Sequence, residues 1–134
     1  MKSKYVLLAS TMLISVATFA QKDQIKAAEK ALKAGKSDEA KTILLDAESV
    51  ITNATEAEKA QYYFVKGNVM LDLANKSVDK DANLSLAAGA FQELIEVEKA
   101  PGKSKYTAQA TKSVMDIKYK LINEAIADSK SDKH

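Results

Sequence analysis

Residues 34–47 read AGKSDEAKTILLDA. Gly35 is placed to end one helix, because glycine adopts the left-handed turn at low cost. Ser37 follows as a candidate cap, with Asp38 and Glu39 at the positive end of a second helix dipole. The stripe of that second helix then mixes large residues, Ile43 and Leu44, with small ones, Ala40 and Ala47. A helix that buries one face usually fills it with bulk. Alanine there implies that a neighbouring helix approaches closely and lays a large side chain over the backbone.

Outward from this stretch, the sequence reads as helix throughout. Alanine, lysine, glutamate, leucine and glutamine dominate, and no run alternates β-branched and polar residues, so no sheet is expected. A first helix is predicted over Asp23–Lys33 and a second from Ser37 to about Ile51. The short connection makes them antiparallel neighbours. Thr55-Glu56-Ala57-Glu58 is a capping box opening a third helix that runs to about Ala74. Its apolar positions, Ala60, Tyr63, Phe64, Gly67, Met70, Leu71 and Ala74, fall at steps of three and four. Asn75–Asn83 (NKSVDKDAN) reads as a polar insertion, with a fourth helix from about Leu84 to Glu98. Pro101-Gly102 breaks the chain. A last helix is predicted from Ser104 to Asp128, with Ala110, Val114, Ile117, Leu121, Ala125 and part of Ile122 and Ile126 as its stripe.

The head of the chain has a different character. Met1-Lys2-Ser3-Lys4 is basic, Tyr5–Phe19 carries no charge, and Ala17-Thr18-Phe19-Ala20 places small residues before a cut at Gln21. That is the layout of a secretory signal peptide over 1–20. The alternative, a membrane anchor, needs a run of about 20 apolar residues, and this one is shorter and contains Ser10, Thr11 and Ser15. Export to the periplasm of a Gram-negative cell, or beyond it, is expected, with no membrane insertion after cleavage. Removing Lys2 and Lys4 leaves 18 basic against 18 acidic residues from the 20 and 18 of the whole chain. A neutral chain without arginine has no field to steer nucleic acid toward it and no guanidinium fork for bidentate anion contacts.

The small-then-large spacing recurs. Tyr63 and Gly67 are followed by Met70, and Ala87, Phe91 and Leu94 repeat the step of four then three. With these residues the chain resembles the tetratricopeptide repeat family, helix–turn–helix units of 34 residues that stack into a right-handed solenoid. One repeat would cover about 21–54 and a second about 60–101 with an insertion at 75–83. An incomplete third unit would cover about 104–134. The match departs from the family at that insertion, at Leu94 in place of a second small residue, and at Ala27, Ala28 and Ala31 in the first helix. An unrelated bundle of four or five helices is the alternative fold.

No catalytic, cofactor or metal site is expected. The single histidine, His134, is the last residue, and there is no cysteine, so the usual transition-metal ligands are missing. Ser77-Val78-Asp79-Lys80 has the serine-x-x-lysine spacing of some acyl enzymes without their companion motifs. Asp79, Asp81 and Asn83 begin like a calcium loop, but Leu84 stands where glycine is needed and Ala90 where the bidentate glutamate belongs. Glu93, Glu96 and Asp116 read as wet helix faces interspersed with lysines.

The resemblance implies a protein- or peptide-binding scaffold whose first helices line a concave groove. The positions beside the packing face would meet the ligand: Phe64, Asn68, Leu71 and Asp72 on the third helix, and Ile25, Glu29 and Leu32 on the first. Asn68 would hold an extended backbone while Phe64 and Leu71 offer apolar contact; the alternative is that these two are core. A second functional reading is a structural domain that self-associates, or docks into a larger envelope assembly, through the last helix. The stripe of that helix continues almost to the polar tail, so a homodimer or further repeats beyond the third unit are expected, against the alternative of an ordinary frayed terminus.

Overall fold

The computed structural model describes residues 20–100, 102 and 104–133. The leader reading rests on 1–19, which lie outside the described residues, as do Pro101 and His134. The described chain is all-α: five α-helices and one short 3-10 turn, with no strand among the described residues. In order they are α1 (20–33), α2 (Ser37–Glu48), the 3-10 turn Ile51–Asn53, α3 (Glu56–Asn75), α4 (Lys80–Val97) and α5 (Thr107–Ser131).

Gly35 ends α1 as its position predicts. Its φ is +76°. Its amide bonds the Leu32 carbonyl and the Lys36 amide bonds Ala31, both at 2.9 Å, the paired closure of a Schellman turn. Ser37 is not the cap. Lys36 holds that position without a side-chain bond, and Ser37 is the first helical residue of α2. It is buried, and its hydroxyl donates to the Asp72 carboxylate on α3. The serine is therefore used to tie two helices rather than to start one.

The alanines of α2 answer to α3. Ala40, Leu44 and Ala47 form the buried stripe, while Ile43 is only partly buried. The Tyr62 hydroxyl donates to the Leu44 carbonyl at 3.2 Å. The small residues Ala40 and Ala47 flank Leu44 in this buried stripe and keep it low where α3 packs on α2.

α3 starts on the Thr55 capping box, with Glu58 N to Thr55 Oγ1 at 3.2 Å and Thr55 N to Glu58 Oε2 at 3.0 Å. It is the central helix and is buried on two sides. Tyr62, Val65, Val69 and Leu73 form one face, toward the α1–α2 pair; Ala60, Gly67, Met70 and Ala74 form the other, toward α4. A single-stripe reading therefore misplaces one aromatic: Tyr62, not Tyr63, is enclosed, and Tyr63 is half-buried at its edge, ring centroids 5.3 Å apart. Gly67 does sit at a close crossing, beneath the Phe91 ring of α4.

The expected insertion at 75–83 is not a loop. α3 runs through Asn75 and α4 begins at Lys80, leaving a tight connection over 76–79. The Ser77 amide bonds Ala74 and the Val78 amide bonds Leu73, each at 3.0 Å. This repeats the Gly35 closure, but with Ser77 at φ +62°. Asn83 belongs to α4; it is buried, and its side-chain amide donates to the Val78 carbonyl at 2.7 Å. The polar residues that suggest a loop are thus spent on closing a turn. Because a non-glycine residue in the left-handed region costs on the order of 1 kcal/mol, Ser77→Gly is expected to stabilise the protein by about 0.5–1 kcal/mol, read as a raised urea midpoint at unchanged m-value.

α1, α3 and α5 run the same way, and α2 and α4 run back between them. Lys22 and the start of α3 border one cleft, while Lys76 Nζ reaches the Gly35 carbonyl at 3.0 Å at the other end. Phe64 stacks on Tyr106 at 4.3 Å between centroids, and Lys120 Nζ meets Asn75 Oδ1 at 3.0 Å. On α5, Ala110 and Ile117 are fully buried and Val114 and Leu121 partly so. The rest of its expected stripe departs from the core: Ala125, Ile122 and Ile126 are exposed. Among the described residues no helix is long and apolar enough to cross a membrane.

Candidate functional site

Phe64, Asn68, Leu71 and Asp72 do fall along one side of α3. Phe64 and Leu71 are half-buried against the core, and Phe64 is held by its stack on Tyr106. The Asn68 side-chain amide donates back to the Phe64 carbonyl at 2.9 Å, which leaves its oxygen as the outward group. Asp72 is a tie. It meets Lys76 Nζ at 2.7 Å and accepts from Ser37. The Lys76 bond, then the Ser37 bond, hold its carboxyl below the ordinary value. On α1, Glu29 pairs with Lys33 at 3.0 Å and Leu32 is partly buried against the core. Ile25 is fully enclosed and presents no surface; α1 spends that position on packing.

Contacts with α1 and α2 occupy one flank of α3, through Tyr62 and Lys76, and contacts with α5 the other, through Phe64 and Asn75. The helical period places Gln61, Asn68 and Asp72 on the strip between those flanks. At its upper end this strip meets a cleft of about 750 Å³, which Gln61 and Tyr106 both line. The cleft forms where α1 and α3 start, α4 ends and α5 starts. Ala60, Val97 and Tyr106 give it apolar walls, and Lys22, Glu56 and Lys105 stand around it.

Of the helix N-termini near this cleft, those of α3 and α5 are each already met by a carboxylate. Glu58 completes the capping box of α3. Glu98, just past α4, does the same for α5. Its Oε1 accepts from the Lys105 amide at 3.0 Å; its Oε2 accepts from the Tyr106 amide at 2.9 Å, the Thr107 amide at 2.8 Å and Thr107 Oγ1 at 2.7 Å. Burial by itself would raise the Glu98 carboxyl, but the Thr107 hydroxyl and the three amides outweigh it and hold the group below its ordinary value. Neither of these two ends offers a free helix dipole to an anion, and the engaged Glu98 carboxylate is a brace rather than a proton carrier.

Sequence reasoning misses this cleft. Its floor is built from chain segments far apart, and Glu98 reaches amides seven to nine residues ahead of it, a span outside local capping rules. Among the described residues no group of three or more histidine, cysteine or acidic side chains is arranged to hold a metal ion.

The described residues form five helices with a partly apolar cleft that opens along the central one. No family model, no curated protein and no solved structure matches the chain. The likeness to tetratricopeptide repeats therefore rests on residue spacing.

Proposed function

We propose that the chain is a non-enzymatic protein- or peptide-binding scaffold of the cell envelope, exported by its leader and built as a short right-handed solenoid of tetratricopeptide type. The observation that carries this reading is the continuity of the cleft with the Gln61–Asn68 strip of α3, flanked by α1 and α5 running in parallel with it. Parallel first helices with return helices behind them are the layout of a stacked repeat. An extended segment lying on the strip would meet the Asn68 oxygen, with Phe64 and Leu71 beneath it and an apolar side chain lodged between Val97 and Tyr106. Recognition of this kind depends on shape and backbone hydrogen bonds more than on charge.

A peptide-display selection against the chain from Gln21 onward tests this. Amide shift perturbations by selected peptides are expected to cluster on Gln61, Asn68 and Tyr106. Gln61→Lys with Asn68→Lys is expected to weaken binding about tenfold or more, or about 1.4 kcal/mol, at an unchanged melting temperature. Perturbations confined to the outer faces of α2 and α4 would refute the groove. A second reading, self-association through α5, is favoured by the apolar side chains that this helix leaves in solvent.

A further inference from the structure

Met115, Tyr119, Ile122 and Ile126 are 52%, 62%, 45% and 48% exposed. They are separated by four, three and four residues. Helical geometry therefore sets them in one line, turned away from the Ala110–Ile117–Leu121 face that packs on α4. It shares Ile122 and Ile126 with the stripe expected on this helix, but Met115 and Tyr119 stand in it in place of the expected Ala110, Val114, Ile117 and Leu121. Its spacing is that of a coiled-coil seam, with Tyr119 and Ile126 at a positions and Met115 and Ile122 at d positions. A shallow groove of about 360 Å³ adjoins it, lined by Ala88, Val114, Leu121, Ile122 and Ala125. The only large apolar side chains this exposed elsewhere among the described residues are Leu45, Val78 and Leu86, and these are scattered over α2, α4 and the turn between α3 and α4.

We infer that this seam pairs with the α5 seam of a second copy of the chain, antiparallel, in layers of Met115 with Ile126 and Tyr119 with Ile122 of the other copy. This deepens the self-association reading and is independent of the groove on α3. The direction follows from the flanking charges. In a parallel pair Lys112, one turn before Met115 at an a position, would face its own symmetry mate. In the antiparallel pair it faces Ser129 instead. The antiparallel flanks also set Asp116 near Asn123 and Lys118 near Ala125, so no like charges meet. From Thr107 to Ser131 the helix carries four lysines against three acids, a balance suited to a self-complementary partner rather than to an anionic membrane surface. Four half-exposed side chains per copy bury on the order of 1,000 Å² in total, the lower end for specific interfaces. An interface of that size belongs to a reversible dimer.

Sedimentation equilibrium of the chain from Gln21 onward, over about 1–300 μM, is expected to show a monomer–dimer transition. Ile122→Glu and Tyr119→Glu, both at exposed positions, should each weaken it at least tenfold and leave the helix content, and the melting temperature of the monomer at about 1 μM, unchanged. Leu86→Glu, equally exposed but off the seam, should leave it unchanged. The chain has no cysteine, so a nitroxide on Lys130→Cys is a unique label. Antiparallel pairing puts two labels about 30 Å apart, and parallel pairing about 15 Å. A monomer at every concentration, with or without lipid vesicles, overturns both the dimer and the self-association reading. A dimer insensitive to Ile122→Glu, or one with labels about 15 Å apart, leaves self-association standing and overturns the antiparallel seam.

Discussion

Gly67→Ala is expected to destabilise the protein by about 1–3 kcal/mol, and Gly67→Leu by about 3 kcal/mol or more. The sign is the informative part. At an open helix position alanine would gain about 1 kcal/mol over glycine. Here a Cβ would lie 2.5 Å from Phe91 Cε1 and 2.7 Å from its Cζ. The ring cannot yield cheaply, because Phe91 has no exposed surface and is packed into the main core cluster. Chemical denaturation checks the loss. Phe91→Leu in the Gly67→Ala background should recover about 1 kcal/mol relative to the sum of the two single changes. Strict additivity would show that the Phe91 ring does not press on position 67.

Glu98→Ala is expected to cost about 3 kcal/mol, since it strips a buried carboxylate from three backbone amides and a hydroxyl at the start of α5. Glu98→Gln keeps the shape but turns one acceptor into a donor, and should cost about 2 kcal/mol. The charge gives this contact a pH dependence. The folded-state pKa of Glu98 is depressed from an unfolded value of about 4.3. Its stabilisation is therefore complete above that unfolded value and is lost as pH falls through the folded value. The gap in stability between the wild type and Glu98→Gln should be constant from pH 6 to 8 and narrow below about pH 4. Urea melts at pH 7 and pH 3 measure it; a gap that stays constant to pH 3 would mean that the carboxylate is not the group capping α5.

Local chemistry carried the parts of this fold that it could see. Gly35, the Thr55–Glu58 box and the small residues Ala40, Ala47 and Gly67 each act within one turn or at one crossing, and each stands where its residue type demands. Ser37 and Asn83 mislead because a short polar side chain serves equally as a cap, a loop residue or a buried tie, and only the distant partner, Asp72 or Val78, decides among these. Tyr62 and Tyr63 are indistinguishable by type. A helix buried on two faces shows no single stripe, so the choice between them fell to three-dimensional packing. The candidate strip was visible through Asn68 and its neighbours. The cleft was not, because Lys22, Gln61, Val97 and Tyr106 come from four separate segments.

Each of the helices α2 to α5 makes its main contacts with the helix before or after it in the chain, and the pairing of α3 with α4 is the most extensive. Loops between them are short. Little chain entropy is therefore lost in closing each contact, and the topology belongs to the rapid end of folding rates, microseconds to milliseconds. The α3–α4 hairpin, locked by Gly67 and Phe91, is the natural nucleus, with the α1–α2 pair added on one side and α5 on the other. α5 joins with only Ala110 and Ile117 fully enclosed and depends on Glu98 for its first turn. With so little of it enclosed, α5 is expected to open before the centre of the molecule does.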